Sequence, residues 1–442
     1  MVCAQRIETG NRRMTELALL GGRPTLDRPL PVYPSIGQAE IDAVMTVMKS
    51  GTLSGFYGSP GPNFMGGTTV KALEAAWCRR YGSKHAISVN SATSGLQAAL
   101  GAVGIGPGDE VIVPPYTMSA TVVAPLIWGG IPVFADIEAD SFCIDPSSVR
   151  ANLTPRTKAI LAVNLFGHPA RLAELRQIAD QNGLWLIEDN AQAPLSHEHG
   201  RTCGTIGHIG VFSLNYHKHI HSGEGGVCVT DDDALAQRLA LIRNHGENLV
   251  ETLKLADSTN IVGFNIRMTE LSAAVALAQL DRVEEHVERR ERVAQTLTEG
   301  TKDLAGWTPP AVREGCRHNY YMWTVRYDEN KVGVSRATFA KALQAEGVPI
   351  AAGYVAPLYW LPMFQRRVAI GDKGFPFNLT NRSYAKGLCP VVERMYEREV
   401  IQYQPPSWDV DADLAERLAA AIRKVHGAGA ALAAWERNNR PN

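Results

Sequence analysis

Seven short apolar segments between residues 85 and 231 constrain the fold of this chain more than any other feature of its sequence. Most are rich in β-branched residues and continuously hydrophobic, which is typical of strands buried on both faces of a sheet. Amphipathic stretches, such as residues 171–183, separate several of them, and this repeated strand–helix–strand order predicts a mostly parallel α/β sheet. The segments are residues 85–90, 110–116, 131–137, 158–166, 183–190, 209–215 and 225–231.

A second region follows the apolar segments. Residues 269–300 are predicted to form a long helix, rich in Ala and Leu in its first half and charged in its second, that bridges two domains. Beyond it we expect a strand at residues 318–328, a helix at residues 335–348 with Ser335 as its N-cap, and a further helix from about Ala412. The chain therefore reads as a large α/β unit followed by a smaller one.

Composition narrows the class of protein. The 442 residues include 44 Lys and Arg against 45 Asp and Glu, and a net charge of −1 argues against bulk electrostatic binding of nucleic acid or of an anionic membrane. No apolar run approaches the ~18 residues of a membrane-spanning helix, and the first 22 residues lack the features of a secretory signal. The seven cysteines include no close pair, as is typical of reduced thiols. We expect a soluble, cytoplasmic protein.

The loop between the last two apolar segments contains Lys218, ahead of a glycine-rich turn. Burial near the edge of a sheet lowers the pKa of a lysine and frees its amine to form an imine with a carbonyl compound. A lone loop lysine is more often a solvated surface residue. Three further features therefore decide the interpretation.

The first feature is a pair of acids, Glu188 and Asp189, at the end of the fifth apolar segment. Ligands of open α/β sheets bind at the carboxyl ends of the strands, and a carboxylate there can keep a heteroaromatic nitrogen protonated. The alternative is a structural acid that caps the next helix.

The second and third features are candidate phosphate ligands. Residues 88–104 run from a strand through a turn with Ser91, Thr93 and Ser94 into an Ala/Leu-rich helix, whose free N–H groups predict an anion site unless the turn is an ordinary N-cap. Ser213, at the end of a later strand, is placed for a second phosphate contact. Phosphate site, ring acid and lysine occur in the order expected of a pyridoxal 5′-phosphate enzyme.

Other motifs are weaker. The glycines of residues 104–108 precede a strand and do not open a helix, so they indicate a turn and not a dinucleotide-binding fingerprint. His217, His219 and His221 alternate, but no nearby acid or cysteine completes a ligand set, so we predict no metal site. The sequence contains neither a phosphate-binding P-loop motif nor the G-x-S-x-G motif of hydrolases.

The ordered motifs along nearly the whole chain resemble the DegT/DnrJ/EryC1/StrS family of pyridoxal-phosphate sugar aminotransferases, which have the aspartate-aminotransferase (type I) fold. This resemblance implies an N-terminal arm at residues 1–35, a large cofactor-binding domain at 36–300 and a small C-terminal α/β domain at 301–442. The motifs are SGTLSG (50–55), SVNSATSGLQAAL (88–100), LIEDNAQA (186–193), FSLNYHKHIHSGEGGVCVTDD (212–232), GFNIRMTELSAAVALAQL (263–280) and CPVVER (389–394).

The resemblance also implies roles for three residues around the cofactor ring. Lys218 matches the lysine that forms an imine with the cofactor. Asp189 matches the acid paired with the pyridine nitrogen, and Gln192 the residue near the ring's 3-oxygen. The first two are the expected catalytic residues.

Further residues match positions that bind the cofactor's phosphate. Ala92 and Thr93 correspond to the phosphate-binding turn, and Ser213 to a further phosphate ligand. Asn265 corresponds to an asparagine that reaches the phosphate bound to a neighbouring subunit. The resemblance therefore implies a homodimer whose active sites are shared between subunits.

The sequence departs from the family at the position that usually stacks on the cofactor ring. An aromatic residue is usual there, whereas this chain has Met118. A polarizable thioether can lie against a ring, and Tyr116 is the alternative. Both assignments stay open at this point.

The family also includes sugar dehydratases with histidine in place of the imine-forming lysine, and Lys218 favours the aminotransferase. We expect glutamate or glutamine as the amino donor, and a nucleotide-linked keto-sugar or a keto-cyclitol as the acceptor. A diphosphate-linked acceptor would need basic groups, for which Arg243, His245 and His318 are candidates. The remaining alternative is a non-catalytic scaffold or regulator that binds the cofactor or a sugar.

Overall fold

The seven apolar segments form one seven-stranded sheet in the computed structural model, which describes residues 16–439. Each predicted segment contains one strand, so the α/β prediction is confirmed. Side chains of the central strand at residues 159–163 are almost fully buried, as expected for a sheet covered on both faces. The strands are β1 (His85–Val89), β2 (Glu110–Val113), β3 (Ile131–Phe134), β4 (Thr157–Val163), β5 (Trp185–Asp189), β6 (Ile209–Ser213) and β7 (Gly226–Thr230).

The strand order of this sheet is β1-β7-β6-β5-β4-β2-β3. Only β7 runs antiparallel to its neighbours within the described sheet, and the other pairings, including β4 with β5 and β5 with β6, are parallel. The carboxyl ends of the parallel strands therefore meet at one edge, where α/β sheets bind ligands.

Helices cover both faces of this sheet and connect its strands. The helix predicted at residues 171–183 is confirmed and ends before Gly183, whose φ of +64° suits glycine. Residues up to 280 contain α1 (Gln38–Ser50), α2 (Thr68–Tyr81), α3 (Ala92–Ala102), α4 (Ala120–Leu126), α5 (Pro146–Asn152), α6 (Leu172–Asn182), α7 (Asp233–Arg243), α8 (Val250–Leu253) and α9 (Glu270–Leu280).

The prediction of one long helix over residues 269–300 is wrong, because the chain breaks between α9 and a second helix, α10 (Val283–Thr301). At the break, Arg282 leaves helical geometry and its guanidinium pairs with the buried carboxylate of Glu40. A buried carboxylate needs such a partner, and helical periodicity does not show where it lies. The bridging role falls to α10, whose two ends pack into different hydrophobic clusters.

A four-stranded antiparallel sheet follows, in the order β8-β9-β11-β10. The N-cap predicted at Ser335 is present, since its hydroxyl accepts a hydrogen bond from the Thr338 amide. The strand predicted at 318–328 begins only at Trp323. The strands are β8 (Trp307–Thr308), β9 (Trp323–Tyr327), β10 (Ile350–Ala352) and β11 (Val400–Tyr403); the helices are α11 (Glu329–Val332), α12 (Arg336–Ala345), α13 (Pro362–Gln365), α14 (Pro390–Arg394), α15 (Ala412–Gly427) and α16 (Gly429–Asn438).

The described part of the predicted N-terminal arm packs on this second sheet. Leu17, Leu26 and Leu30 join its hydrophobic cluster, and the buried Glu346 carboxylate accepts hydrogen bonds from the amides of Ala18 and Thr25. Residues 1–15 of the arm lie outside the described residues. Within residues 16–439, no helix combines the length and the apolar character needed to cross a membrane.

Candidate active site

One cavity of about 170 Å³ opens at the carboxyl edge of the large sheet, between the start of α3, the end of β5 and the loop from β6 to β7. The structure brings seven of the eight predicted site residues to its wall and leaves out Asn265. Those on the wall are Ala92, Thr93, Met118, Asp189, Gln192, Ser213 and Lys218.

Lys218 lies in the loop after β6, where its amide donates to the Asn215 carbonyl oxygen at 3.0 Å. Burial of its amine lowers the pKa of Lys218 to about 8, and the Asp189 carboxylate partly opposes this shift. Near neutral pH a useful fraction of the amine is therefore unprotonated and nucleophilic. The geometry suits an amine that bonds to a carbonyl carbon in the cavity.

Asp189 ends β5 with a carboxylate that is only 5% exposed. Among the described residues, its single hydrogen bond comes from the Ala191 amide, at 2.9 Å from Oδ1. Burial raises the pKa of Asp189, and Lys218 is the cation that opposes this rise. A protonated ring nitrogen in the cavity would give this carboxylate the partner that it lacks, so the residue fits its expected role.

The start of α3, where the sequence predicts an anion site, lies on the cavity wall with free backbone amides. Ser91 caps the helix by accepting a hydrogen bond from the Ser94 amide, which leaves the Ala92 and Thr93 amides without helical acceptors. A Cβ on Gly226 would lie 2.7 Å from the Ala92 nitrogen, so β7 approaches this turn as closely as only glycine allows. Ser213 accepts a hydrogen bond from the Asn215 amide and keeps its own proton to donate. These groups fit a phosphate.

Gln192 is fixed by two hydrogen bonds. Its Oε1 accepts from the Phe166 amide at 2.7 Å, and its Nε2 donates to the Tyr354 hydroxyl at 3.2 Å. Because a primary amide carries two N–H groups, one remains free to donate to a ring oxygen in the cavity.

The two candidates for ring stacking, Met118 and Tyr116, differ in their position relative to the cavity. The side chain of Met118 is 56% exposed and lies on the cavity wall. Tyr116 is fully buried, packs edge-on against Phe166 and Tyr354, and is not part of the wall. Met118, and not Tyr116, is therefore part of the cavity wall.

Asn265 is exposed and lies outside the cavity. Its backbone pairs with Asn244, and its Oδ1 accepts from Arg267 Nε at 2.7 Å. The cavity of a single chain thus does not include this residue, and its predicted contact with a neighbouring subunit's phosphate stays a prediction.

Sequence reasoning missed two tyrosines near the site. The hydroxyl of Tyr354 contacts Gln192, and that of Tyr321 lies 3.5 Å from Lys218 Nζ. Both belong to the region beyond residue 301, and no local motif marks them. Thr117, Asn215, His217 and Glu224 also line the cavity and could be suspected only from their nearness to the predicted residues.

The three alternating histidines do not share a site. His217 lies on the cavity wall, the Nε2 of His219 bonds to the Asn319 carbonyl oxygen, and the Nε2 of His221 bonds to the Ser35 hydroxyl. Over the described part of the chain, no group of three His, Cys, Asp or Glu side chains is arranged to hold a metal ion.

Comparison with known proteins gives a consistent result. Residues 34–403 match the model of the DegT/DnrJ/EryC1/StrS aminotransferase family. The L-glutamine:2-deoxy-scyllo-inosose aminotransferase of Streptoalloteichus tenebrarius is 32% identical over 428 residues, covering 92% of this chain and 97% of its own. The enzyme of the same name from Streptomyces kanamyceticus is 32% identical over 439 residues, covering 95% and 99%.

A solved structure agrees with this assignment. The crystal structure of DesI with its TDP-sugar product superposes with a TM-score of 0.78 at 30% identity, covering 96% of this chain and 100% of DesI. The predicted fold, family and cofactor are thereby confirmed. The chain belongs to the DegT/DnrJ/EryC1/StrS family and is a pyridoxal-phosphate-dependent aminotransferase.

Proposed function

We propose that this aminotransferase moves the α-amino group of glutamine or glutamate to the ketone carbon of a cyclitol or sugar. The observation that carries the proposal is the single cavity in which Lys218, Asp189 and the start of α3 meet. Pyridoxal phosphate supplies an aldehyde that takes up the amino group and a ring that accepts the electrons released at the donor carbon.

Residues of the chain would bind the cofactor and move the proton. Lys218 would hold the aldehyde carbon through Nζ and, once displaced by the donor amine, would move a proton as general base and acid. Asp189 would accept a hydrogen bond from the ring nitrogen and keep its proton in place. The amides of Ala92 and Thr93 and the hydroxyl of Ser213 would donate to the phosphate. Lys218, where the family's dehydratases have histidine, supports transamination over dehydration.

The charges around the cavity favour an uncharged acceptor such as a keto-cyclitol. Lys218 is the only cation in the cavity wall of the described chain. None of the three candidates for binding a diphosphate is on that wall. Arg243 is buried against Glu74, His318 is buried and stacks on Tyr320, and His245 lies in the loop after α7.

Two relatives support the same substrates. The enzymes from Streptoalloteichus tenebrarius and Streptomyces kanamyceticus are named for glutamine and 2-deoxy-scyllo-inosose. DesI, whose structure contains a TDP-sugar product, supports a nucleotide-linked acceptor as the second candidate.

A labelled-donor assay tests this proposal. Glutamine that carries heavy nitrogen at its α-amino group is incubated with the enzyme and either 2-deoxy-scyllo-inosose or a TDP-linked keto-sugar, and mass spectrometry follows the product. We expect heavy nitrogen in an aminocyclitol. Label in the TDP-sugar alone would establish the second acceptor, and no labelled amine with either acceptor would contradict the proposal. Glutamate labelled in the same way identifies the preferred donor.

We also propose that two copies of the chain share each active site. Asn244 joins two exposed segments around Asn265, because its Nδ2 donates to the carbonyl oxygens of Tyr57 and Phe64 while its backbone pairs with Asn265. Exposed apolar side chains on these segments form a patch that a second subunit would cover. They are Tyr57, Met65, Val262 and Phe264.

Mixing two inactive variants tests the shared site. Lys218→Ala and Asn265→Ala chains, unfolded together and refolded, should regain about a quarter of wild-type activity, since half the dimers are mixed and one of their two sites is intact. The homotypic refolds are the controls, and light scattering gives the mass. Mixed chains no more active than these controls would contradict a shared site.

A further inference from the structure

The amine of Lys218 has unusual surroundings for a buried cation. Within the described residues, no carboxylate lies at hydrogen-bond distance from its Nζ. The hydroxyl of Tyr321 accepts a hydrogen bond from Nζ at 3.5 Å, and Nζ also lies over the Tyr321 ring, 4.5 Å from its centroid. A phenol thus contacts the ammonium through both its oxygen and its negative ring face.

The segment around Tyr321 is held by hydrogen bonds against loops of the large sheet. Asn319 Oδ1 accepts from the Tyr321 amide at 3.1 Å, and Asn319 Nδ2 donates to the Pro194 carbonyl oxygen at 2.8 Å. A Cβ on Gly167 would lie 1.8 Å from Asn319 Oδ1, so the two segments meet as closely as glycine permits. The position of the Tyr321 ring is therefore set by contacts beyond Lys218 itself.

The hydroxyl of Tyr321 has a second hydrogen-bond partner, Gln404. Gln404 Nε2 donates to it at 3.2 Å, and the side chain is only 3% exposed. Burial raises the pKa of Tyr321, so the phenol is neutral at physiological pH. The Tyr321 hydroxyl oxygen accepts from Gln404 with one lone pair and has another that can accept from Lys218 without any movement of the side chain.

We propose that Tyr321 is a positioning residue, which holds the amine of Lys218 at the cavity through its hydroxyl and ring face whenever that amine is not bonded to the cofactor. The inference rests on the proposed role of Lys218. It predicts that Tyr321 favours the charged form of the amine, because both contacts are stronger to an ammonium than to a neutral amine.

Other titrating groups face the same amine. Asp189 lies across the cavity, and His217 and His219 flank Lys218 in its own loop. Burial lowers the pKa of His217 to about 4 and that of His219 to about 3, so both imidazoles are neutral above pH 6. Titration of Lys218 near pH 8 is therefore separate from theirs.

The test uses the full chain freed of cofactor and an amine-acylating reagent. Peptide mass spectrometry gives the labelling rate of Lys218 as a function of pH, and the midpoint of that curve reports the amine. Tyr321→Phe removes the hydroxyl and keeps the ring, whereas Tyr321→Leu removes both. Tyr327→Phe is the matched control, because it removes a buried hydroxyl that donates to the Val334 carbonyl oxygen, away from the cavity.

We expect the midpoint to fall by about half a pH unit in Tyr321→Phe and by about one unit in Tyr321→Leu, which is a tenfold change in the acid-side labelling rate. The control should not shift it, and thermal unfolding verifies that each variant is folded. A midpoint that stays or rises in both Tyr321 variants, or an equal fall in Tyr327→Phe, would overturn the proposal.

The outcome is independent of the proposed function. A Lys218→Ala enzyme that stays coloured and active would remove the proposed role of Lys218, while the labelling curves of the Tyr321 variants would still be measurable. Conversely, unchanged curves beside an inactive Lys218→Ala enzyme would reject only the positioning role.

Discussion

Glu188 and Asp189 are adjacent on β5, but their carboxylates differ in how many backbone N–H groups donate to them. Glu188 is fully buried beneath the turn at residues 204–207 and accepts hydrogen bonds from the amides of Gly204, Ile206 and Gly207. Asp189 faces the cavity and accepts one, from Ala191. Burial raises the pKa of both acids. The direction of the pKa shift is therefore the same for both acids, whereas the number of hydrogen-bond donors to each carboxylate differs.

The largest effect should come from the cavity region. Lys218→Ala removes the amine that we propose holds the cofactor and moves the proton, so kcat/KM should fall on the order of 10⁴-fold, the upper range for general acid–base groups. The purified variant should lack the yellow colour expected of an imine between the lysine and pyridoxal phosphate, while its unfolding temperature without cofactor stays near that of the wild type. An active, coloured variant would remove Lys218 from the mechanism.

Asp189→Asn tests the carboxylate on the cavity side. The amide keeps the acceptor for Ala191 and loses the charge that, in the proposed role of Asp189, stabilises a protonated ring nitrogen, so kcat should fall about 10²- to 10³-fold. Without cofactor, urea unfolding should show equal or greater stability, because a poorly solvated charge is gone. A large loss of stability would place Asp189 in the same class as Glu188.

Glu188→Gln tests the carboxylate beneath the turn. An amide nitrogen would face one of the backbone donors now bound by the carboxylate, so the free energy of unfolding should fall by about 2–3 kcal/mol. The kcat per folded molecule should stay within a fewfold of the wild type. Stability from urea titration and kcat from steady-state kinetics together separate the two carboxylates, and a selective loss of kcat would break the distinction.

The smallest effect concerns the pH dependence of stability without cofactor. The pKa of Lys218 falls from 10.5 to about 8 on folding, so the unfolded chain binds the extra proton between these values and wild-type stability rises across this window. Lys218→Met has no such proton. Its stability advantage over the wild type should shrink on the order of 2 kcal/mol between pH 8 and pH 10. A constant difference would show that the Lys218 amine is solvated.

The seven-stranded sheet could be predicted from the sequence, because a strand buried on both faces is a continuously hydrophobic segment. Each of the seven apolar segments contains one strand. The N-cap of α12 at Ser335 could also be predicted, because the residue type at the start of a helix is a local feature of the sequence. The break in the helix predicted over residues 269–300 was not predicted: it lies at Arg282, which pairs with Glu40, a residue far away in the chain.

The site shows the same division. Lys218, Asp189 and the start of α3 follow strands, so their meeting at one edge followed from the parallel sheet. The positions of Tyr321 and Tyr354 near the cavity could not be predicted, because both belong to a region more than 100 residues beyond Lys218. The resemblance supplied Gln192 and Asn265, for which spacing alone gave no reason.

The sequence by itself determined the buried, mostly parallel sheet, the edge at which a ligand is expected and the family to which the chain belongs. Only the tertiary structure decided which of two adjacent acids is short of donors, that Met118 and not Tyr116 faces the cavity, and that a phenol lies against the lysine. The physical reason is that hydrophobic periodicity depends only on the residues within one segment. Hydrogen-bond partners, in contrast, are chosen by close packing between distant segments, which no local pattern records.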